Sequence, residues 1–206
     1  MSHLKGRLLK LCVMVSGRGS NLDAIVRSID EGKLNACVNV VISDRHDALA
    51  LKRVEEWNAA GGKRIESFVI ERSSFPGKDS FDDAIASILE EREVDLIVLA
   101  GFMRVLGAKF AARFAGKIIN IHPSLLPSFP GLHAQRQALA YGTKISGCTV
   151  HFVDKTLDGG SIISQVAVPV LDGDTEDTLS ERILKEEHRL LPETIQKLAA
   201  NQIRFG

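Results

Sequence analysis

Leu8-Leu9-Lys10-Leu11-Cys12-Val13-Met14-Val15-Ser16-Gly17-Arg18-Gly19-Ser20-Asn21-Leu22 decides the reading of the fold. Its first half is a nearly unbroken apolar run, the pattern of a parallel strand buried on both faces. Two glycines then open a turn, and Leu22, Ile25, Val26 and Ile29 recur at helical spacing over Asn21–Ile29. Strand, tight turn and helix in succession begin a βαβ unit, which implies a parallel sheet. The alternation continues: strands are expected over Ala36–Ser43, Ile65–Ile70, Leu96–Ala100 and Lys117–Ile121, with helices over Ala48–Ala59, Lys78–Arg92 and Gly107–Phe114. A helix follows at Leu132–Tyr141. Ser146–Val153 and Ser161–Val168 then succeed each other with no helix between, so they are expected to be antiparallel. Thr175–Ala200 reads as a long amphipathic helix with Leu179, Ile183, Leu190 and Ile195 on one face, bent at Pro192. The expected architecture is α/β: a doubly wound, mostly parallel sheet with an antiparallel extension near the C-terminal end, as a single domain over residues 1–206.

Composition narrows the function. Lys plus Arg and Asp plus Glu number 26 each, so no global field recruits nucleic acid or an anionic membrane. Any phosphate must be held by a local device. Cys12, Cys37 and Cys148 show no metal-ligand spacing and read as reduced, buried thiols of a cytoplasmic protein. No apolar run reaches membrane-spanning length, and the N-terminus does not read as a signal peptide.

Three stretches carry chemistry. In Gly17-Arg18-Gly19-Ser20-Asn21, the glycines let backbone amides approach a ligand, and a helix start offers unpaired N–H groups to an anion. An ordinary turn with a Ser or Asn cap is the alternative. A dinucleotide site is disfavoured because Leu22 stands where a third glycine belongs. A catalytically inert nucleotide-binding module is the rival reading from this loop alone. Asn120 and His122 lie two apart at a strand end, hence on one face, where open α/β sheets bind ligands. An amide there can donate to a developing oxyanion, and an imidazole can move a proton near neutral pH. Pro123, Pro127 and Pro130, with Ser124 and Ser128, suggest an exposed, mobile lid over Ser124–Gly131. Asp158, before Gly159-Gly160, is either a turn residue or a carboxylate that keeps His122 charged.

These residues also carry a resemblance. Asn120-Ile121-His122-Pro123-Ser124-Leu125-Leu126-Pro127, Phe129-Pro130-Gly131-Leu132-His133, Thr149-Val150-His151-Phe152-Val153 and Leu157-Asp158-Gly159-Gly160 resemble the formyltransferases that use 10-formyltetrahydrofolate. Ser16-Gly17-Arg18-Gly19-Ser20-Asn21-Leu22 narrows the resemblance to the short, single-domain glycinamide ribonucleotide formyltransferases of purine biosynthesis, from about Leu9 to about Pro192. The resemblance implies transfer of the formyl group of 10-formyltetrahydrofolate, a co-substrate, to the amine of 5′-phosphoribosylglycinamide, with Asn120, His122 and Asp158 catalytic and no metal. It implies the substrate phosphate at Gly19, Ser20 and Asn21, and the ribose on Glu187, although a helix Glu-His pair usually lies on a solvated face. It sets the folate against Met103, Arg104, Val105 and Leu106, mainly through their backbone, with Asn120, Ile118 and Val153 as further contacts, Asp154 on the opposite lip and Lys78 near the glutamate tail. His133 and His151 match positions near the site, and Gln135 stands where a second loop histidine is often found. The implied partners are small molecules, with no nucleic acid or membrane, and the protein a monomer or homodimer.

Overall fold

The computed structural model describes residues 7–204. Seven strands, β1 (Leu9–Val15), β2 (Ala36–Ser43), β3 (Glu66–Val69), β4 (Leu96–Leu99), β5 (Ile118–His122), β6 (Ile145–Phe152) and β7 (Ile162–Pro169), form one sheet. Their spatial order is β3-β2-β1-β4-β5-β6-β7. The first five are parallel, while β6 runs antiparallel to β5 and β7 antiparallel to β6. The connecting helices are α1 (Ser20–Asp30), α2 (Leu49–Ala59), α3 (Lys78–Glu91), α4 (Ala108–Arg113), α5 (Ala134–Tyr141) and α6 (Glu176–Ala199).

The period of two along β1 builds both layers. Leu9, Leu11, Val13 and Val15 join a core with Leu22 and Ile25 of α1, Val54 of α2 and Leu179, Ile183 and Leu190 of α6. Cys12 and Met14 enter the core on the other face, with Phe81 and Ile85 of α3 and Phe110 of α4. A strand covered on both faces needs apolar residues at every position, which is why its sequence does not alternate. All three cysteines are buried free thiols, and burial pushes Cys148 up to about 12.

The expected elements are present with ends shifted by a residue or two. The sequence reading missed a short 3-10 turn at Arg72–Ser74. The expected bend at Pro192 does not interrupt α6, which continues through it to Ala199 with Pro192 on its buried face. The chain lays β1, β2 and β3 outward in one direction, then returns to add β4 on the other side of β1. That reversal leaves a crevice at the C-terminal ends of β1 and β4, the usual ligand position in such sheets.

Candidate active site

The glycine turn sits on the β1 side of this crevice. Gly19 precedes α1 with φ 74°, and no side chain caps the helix, so the expected Ser20 or Asn21 cap does not form. The first intrahelical bond joins the Asp23 N–H to the Gly19 carbonyl at 3.0 Å, leaving the N–H groups of Ser20, Asn21 and Leu22 without a partner within the helix. Open N–H groups and the positive end of the helix dipole are features that can hold an anion. The Ala50 N–H donates to the Gly17 carbonyl at 3.2 Å, which joins the turn to the start of α2.

Asn21 is buried and donates from Nδ2 to Glu187 Oε2 at 2.8 Å, while its Oδ1 has no partner. Glu187 is not on a solvated face. It continues the buried stripe Leu179, Ile183, Leu190 of α6, at a position where the pattern calls for an apolar residue. Burial pushes its carboxyl above the usual range, partly offset by the Asn21 bond. Behind it, burial lowers the pKa of His188, with Arg27 and Arg18 adding to the effect. A buried carboxyl and an orphaned amide oxygen beside an anion-binding turn suit the hydroxyls of a phosphorylated sugar.

The other half of the site comes from the β5–β6 pair. Asn120 lies opposite His151, and His122 opposite Thr149. His122 is buried, with Nδ1 3.4 Å from Asp158 Oδ2 and Nε2 2.9 Å from the Phe129 carbonyl. Both ring nitrogens thus face oxygen atoms that can only accept a hydrogen bond. Asp158 holds the left-handed backbone conformation, φ 49°, which Asp and Asn tolerate better than most residues. It is more than a turn residue, because Oδ2 also accepts the Gly131 N–H at 2.8 Å and Oδ1 lies 3.7 Å from His151 Nε2.

The segment Ser124–Gly131 differs from the expected free lid. Ser124 and Leu126 are buried. Thr149 Oγ1 donates to the Ser124 carbonyl and accepts the Leu126 N–H, and Gln165 donates to the Leu126 carbonyl. A small polar hub on β6 and β7 therefore anchors its first half. Residues Phe129 to Gly131 are the part that touches His122 and Asp158 directly.

On the β4 side, the Ser16 N–H donates to the Gly101 carbonyl, and the Met103 N–H donates to Ser16 Oγ at 2.8 Å. This closes the strand end into a wall. Met103 and Val105 are 65% and 64% exposed, an apolar rim that the fold itself leaves uncovered. Arg104 donates to the buried Asp44 at 2.7 Å, so its guanidinium is already engaged. Leu106 and Val153 are half-buried against the core. Ile118 is fully buried and offers no accessible surface, a correction to its expected place as a pocket wall. Its backbone carbonyl accepts the Val153 N–H. Asp154 is engaged with Thr156. Lys78 is exposed at the start of α3, with Cε 3.6 Å from where a Gly107 side chain would begin. A separate surface cavity of about 510 Å³, lined by His46, Phe68, Glu71, Phe75 and Ile88 among others, opens on the β3 edge, at the far side of the sheet from β5. It holds none of these groups.

His151 is marked only by the resemblance, as lying near the site, and Thr149 is given no role; the sequence did not bring out what either touches. The alternation Thr149-Val150-His151 marks them as same-face neighbours, but only the β5–β6 register sets them against His122 and Asn120.

The chain matches the formyl transferase family over residues 9–195. It is 39% identical to phosphoribosylglycinamide formyltransferase of Escherichia coli, covering 96% of this chain and 90% of that protein. It is 42% identical to the trifunctional purine biosynthetic protein adenosine-3 of Gallus gallus, of whose length it spans 20%. A crystal structure of glycinamide ribonucleotide transformylase 1 from Symbiobacterium toebii superposes with a TM-score of 0.90 at 45% identity, covering 98% of this chain and 92% of that one. Among the described residues, no helix is long and apolar enough to cross a membrane. The chain belongs to the formyl transferase family, in its phosphoribosylglycinamide formyltransferase branch.

Proposed function

We propose that this site moves the formyl group of 10-formyltetrahydrofolate onto the primary amine of 5′-phosphoribosylglycinamide, with Asn120, His122 and Asp158 as its catalytic groups. The observation that carries the reading is the convergence of Asn120, His122 and Asp158 at the end of β5. The open N–H groups of α1 would receive the substrate phosphate, and Asn21 and Glu187 the ribose. The folate would lie along the 101–107 wall, on the exposed Met103 and Val105 side chains and the Arg104 backbone, with Lys78 near its tail. A flat heterocycle suits apolar walls fixed by backbone donors.

The neutral amine is itself the nucleophile and attacks the formyl carbon. Holding both substrates in attack geometry supplies much of the acceleration. As the carbonyl oxygen gains charge, the Asn120 amide N–H and the His122 imidazolium would donate to it. His122 Nε2 must release the Phe129 carbonyl to do so, which assigns the local movement of the loop to residues near Phe129. Asp158 keeps the imidazolium oriented through Nδ1. The tetrahedral intermediate then collapses: the bond from the formyl carbon to N10 of the folate breaks, and the proton lost by the amine is passed through water to that leaving nitrogen. The test is direct: the protein is mixed with 10-formyltetrahydrofolate, and deformylation is followed with and without phosphoribosylglycinamide. Turnover that requires the amine supports the reading; equal turnover without it would identify a hydrolase instead.

A further inference from the structure

We propose that His151 is a positioning residue for Asn120: as the neutral tautomer protonated at Nδ1, it accepts one Asn120 N–H at Nε2 and so aims the other at the carbonyl oxygen of the transferred group. The inference rests on the reading of Asn120 as the donor to that oxygen. It deepens that reading by naming what sets the amide's direction.

His151 is 1% exposed and stands directly across from Asn120 in the β5–β6 register. Its Nδ1 lies 2.8 Å from the carbonyl of Phe152. A carbonyl can only accept, so Nδ1 carries the proton. Its Nε2 lies 3.2 Å from Asn120 Nδ2, an amino group that can only donate. Nε2 is therefore bare, and one tautomer satisfies both contacts. The reverse amide orientation would point Asn120 Oδ1 at the same lone pair, which is repulsive. The groups facing the ring are Asp158 at 3.7 Å, His122 and Asp154. Despite the two carboxylates, burial dominates and lowers the His151 pKa, which favours the neutral ring. A protonated His151 would instead donate from Nε2 toward Asp158 and leave the Asn120 amino group without its acceptor. The amide could then turn its oxygen toward the substrate carbonyl, the wrong polarity for an oxyanion. The β5–β6 pairing thus supplies both the donor and the group that orients it, as supporting hydrogen bonds do in other preorganised sites.

The test combines a spectroscopic and a kinetic measurement. Nitrogen-15 NMR of the histidine rings in the free wild-type protein at pH 7 should show His151 with a protonated Nδ1 and a bare Nε2. His151→Phe keeps a ring but removes the acceptor. It should lower kcat roughly 10- to 100-fold, no more than the loss of the donor itself in Asn120→Ala, with both KM values within about threefold of wild type. His151→Gln, whose amide oxygen can accept, should recover most of the rate. Adding His151→Phe to Asn120→Ala should cost little more, because the two act as one unit. An Nε2-protonated or doubly protonated His151, or a folded His151→Phe with wild-type kcat, would overturn the proposal. If His151→Phe does not fold, the NMR tautomer and His151→Gln still decide. Normal turnover by Asn120→Ala would instead defeat the reading of Asn120 as donor, and the role of His151 would fall with it.

Discussion

Replacing Gly19 with alanine tests the phosphate turn through its geometry. Gly19 has φ 74°, and an added Cβ would lie 2.6 Å from Ala50 Cβ and 3.0 Å from Ala50 Cα. The left-handed conformation costs an alanine about 1–2 kcal/mol. The contact falls on a short side chain and backbone in the first turn of α2, neither of which can swing aside. Relieving it by moving the turn or the helix start adds about 1–3 kcal/mol of overpacking. The total is about 2–5 kcal/mol, a large share of the stability of an ordinary domain. With a urea m-value of about 1–3 kcal/mol/M, the unfolding midpoint should fall by about 1 M or more. Gly17→Ala is the control: it has no atom within 4 Å of the added Cβ, and its φ lies outside the left-handed region. Its cost should stay within about 1 kcal/mol. The Gly17 carbonyl holds the Ala50 N–H, so the strain in Gly19→Ala should also displace the α1 N–H groups and raise KM for phosphoribosylglycinamide. Equal urea midpoints for the two variants would show that neither the left-handed backbone nor the Ala50 contact constrains Gly19.

Two further substitutions separate the parts of the site. Glu187→Gln keeps an acceptor for Asn21 but cannot ionise. The folded-state pKa of Glu187 is raised, so the carboxyl contributes its full stability at low pH and loses it as pH rises through that value. The variant should therefore melt higher than wild type at pH 8, by about 2–4 °C for each kcal/mol recovered, with the gain shrinking toward pH 4, while KM for phosphoribosylglycinamide rises; calorimetry showing a gain independent of pH would contradict this. Ser20→Asp places a negative charge at the α1 start. Steady-state kinetics should show KM for phosphoribosylglycinamide up by about tenfold or more, the effect of ~1.4 kcal/mol of repulsion, with little change for the folate; equal weakening of both ligands would count against a phosphate there.

The fold was readable because β1 carries no polar face, the glycine turn follows it and the helical stripes are regular. The paired strands near the C-terminal end were legible from the missing helix between them. Asn120, His122 and Asp158 stood out by residue type and by resemblance. What escaped was set by tertiary contacts. Glu187 was marked only by the resemblance, because charged residues on helices usually lie on a solvated face; its spacing from Ile183 and Leu190 puts it in the buried stripe. Prolines and serines made Ser124–Gly131 look exposed. The Thr149 hydroxyl and Gln165 amide that bury its first half come from strands far along the chain. The partner of the Arg104 side chain was not legible, because Asp44 lies 60 residues away in the chain. Ile118 belongs to an apolar run that reads as a buried strand, and its full burial leaves no side-chain surface for a ligand.

If Asp158 and His122 act as one catalytic unit, a double-mutant cycle on kcat will show it. Asp158→Asn suits the cycle, because Asn tolerates φ 49° and its amide oxygen can still accept the Gly131 N–H, so the change removes the charge and little else. Asp158→Asn and His122→Ala should each lower kcat by about 10²–10⁴-fold, with both substrates still bound to within a modest factor. The double variant should lie within a few fold of the slower single one, as expected of groups that function together. Losses that multiply in the double variant would mean that the two residues act independently, and the account given for the site would be wrong.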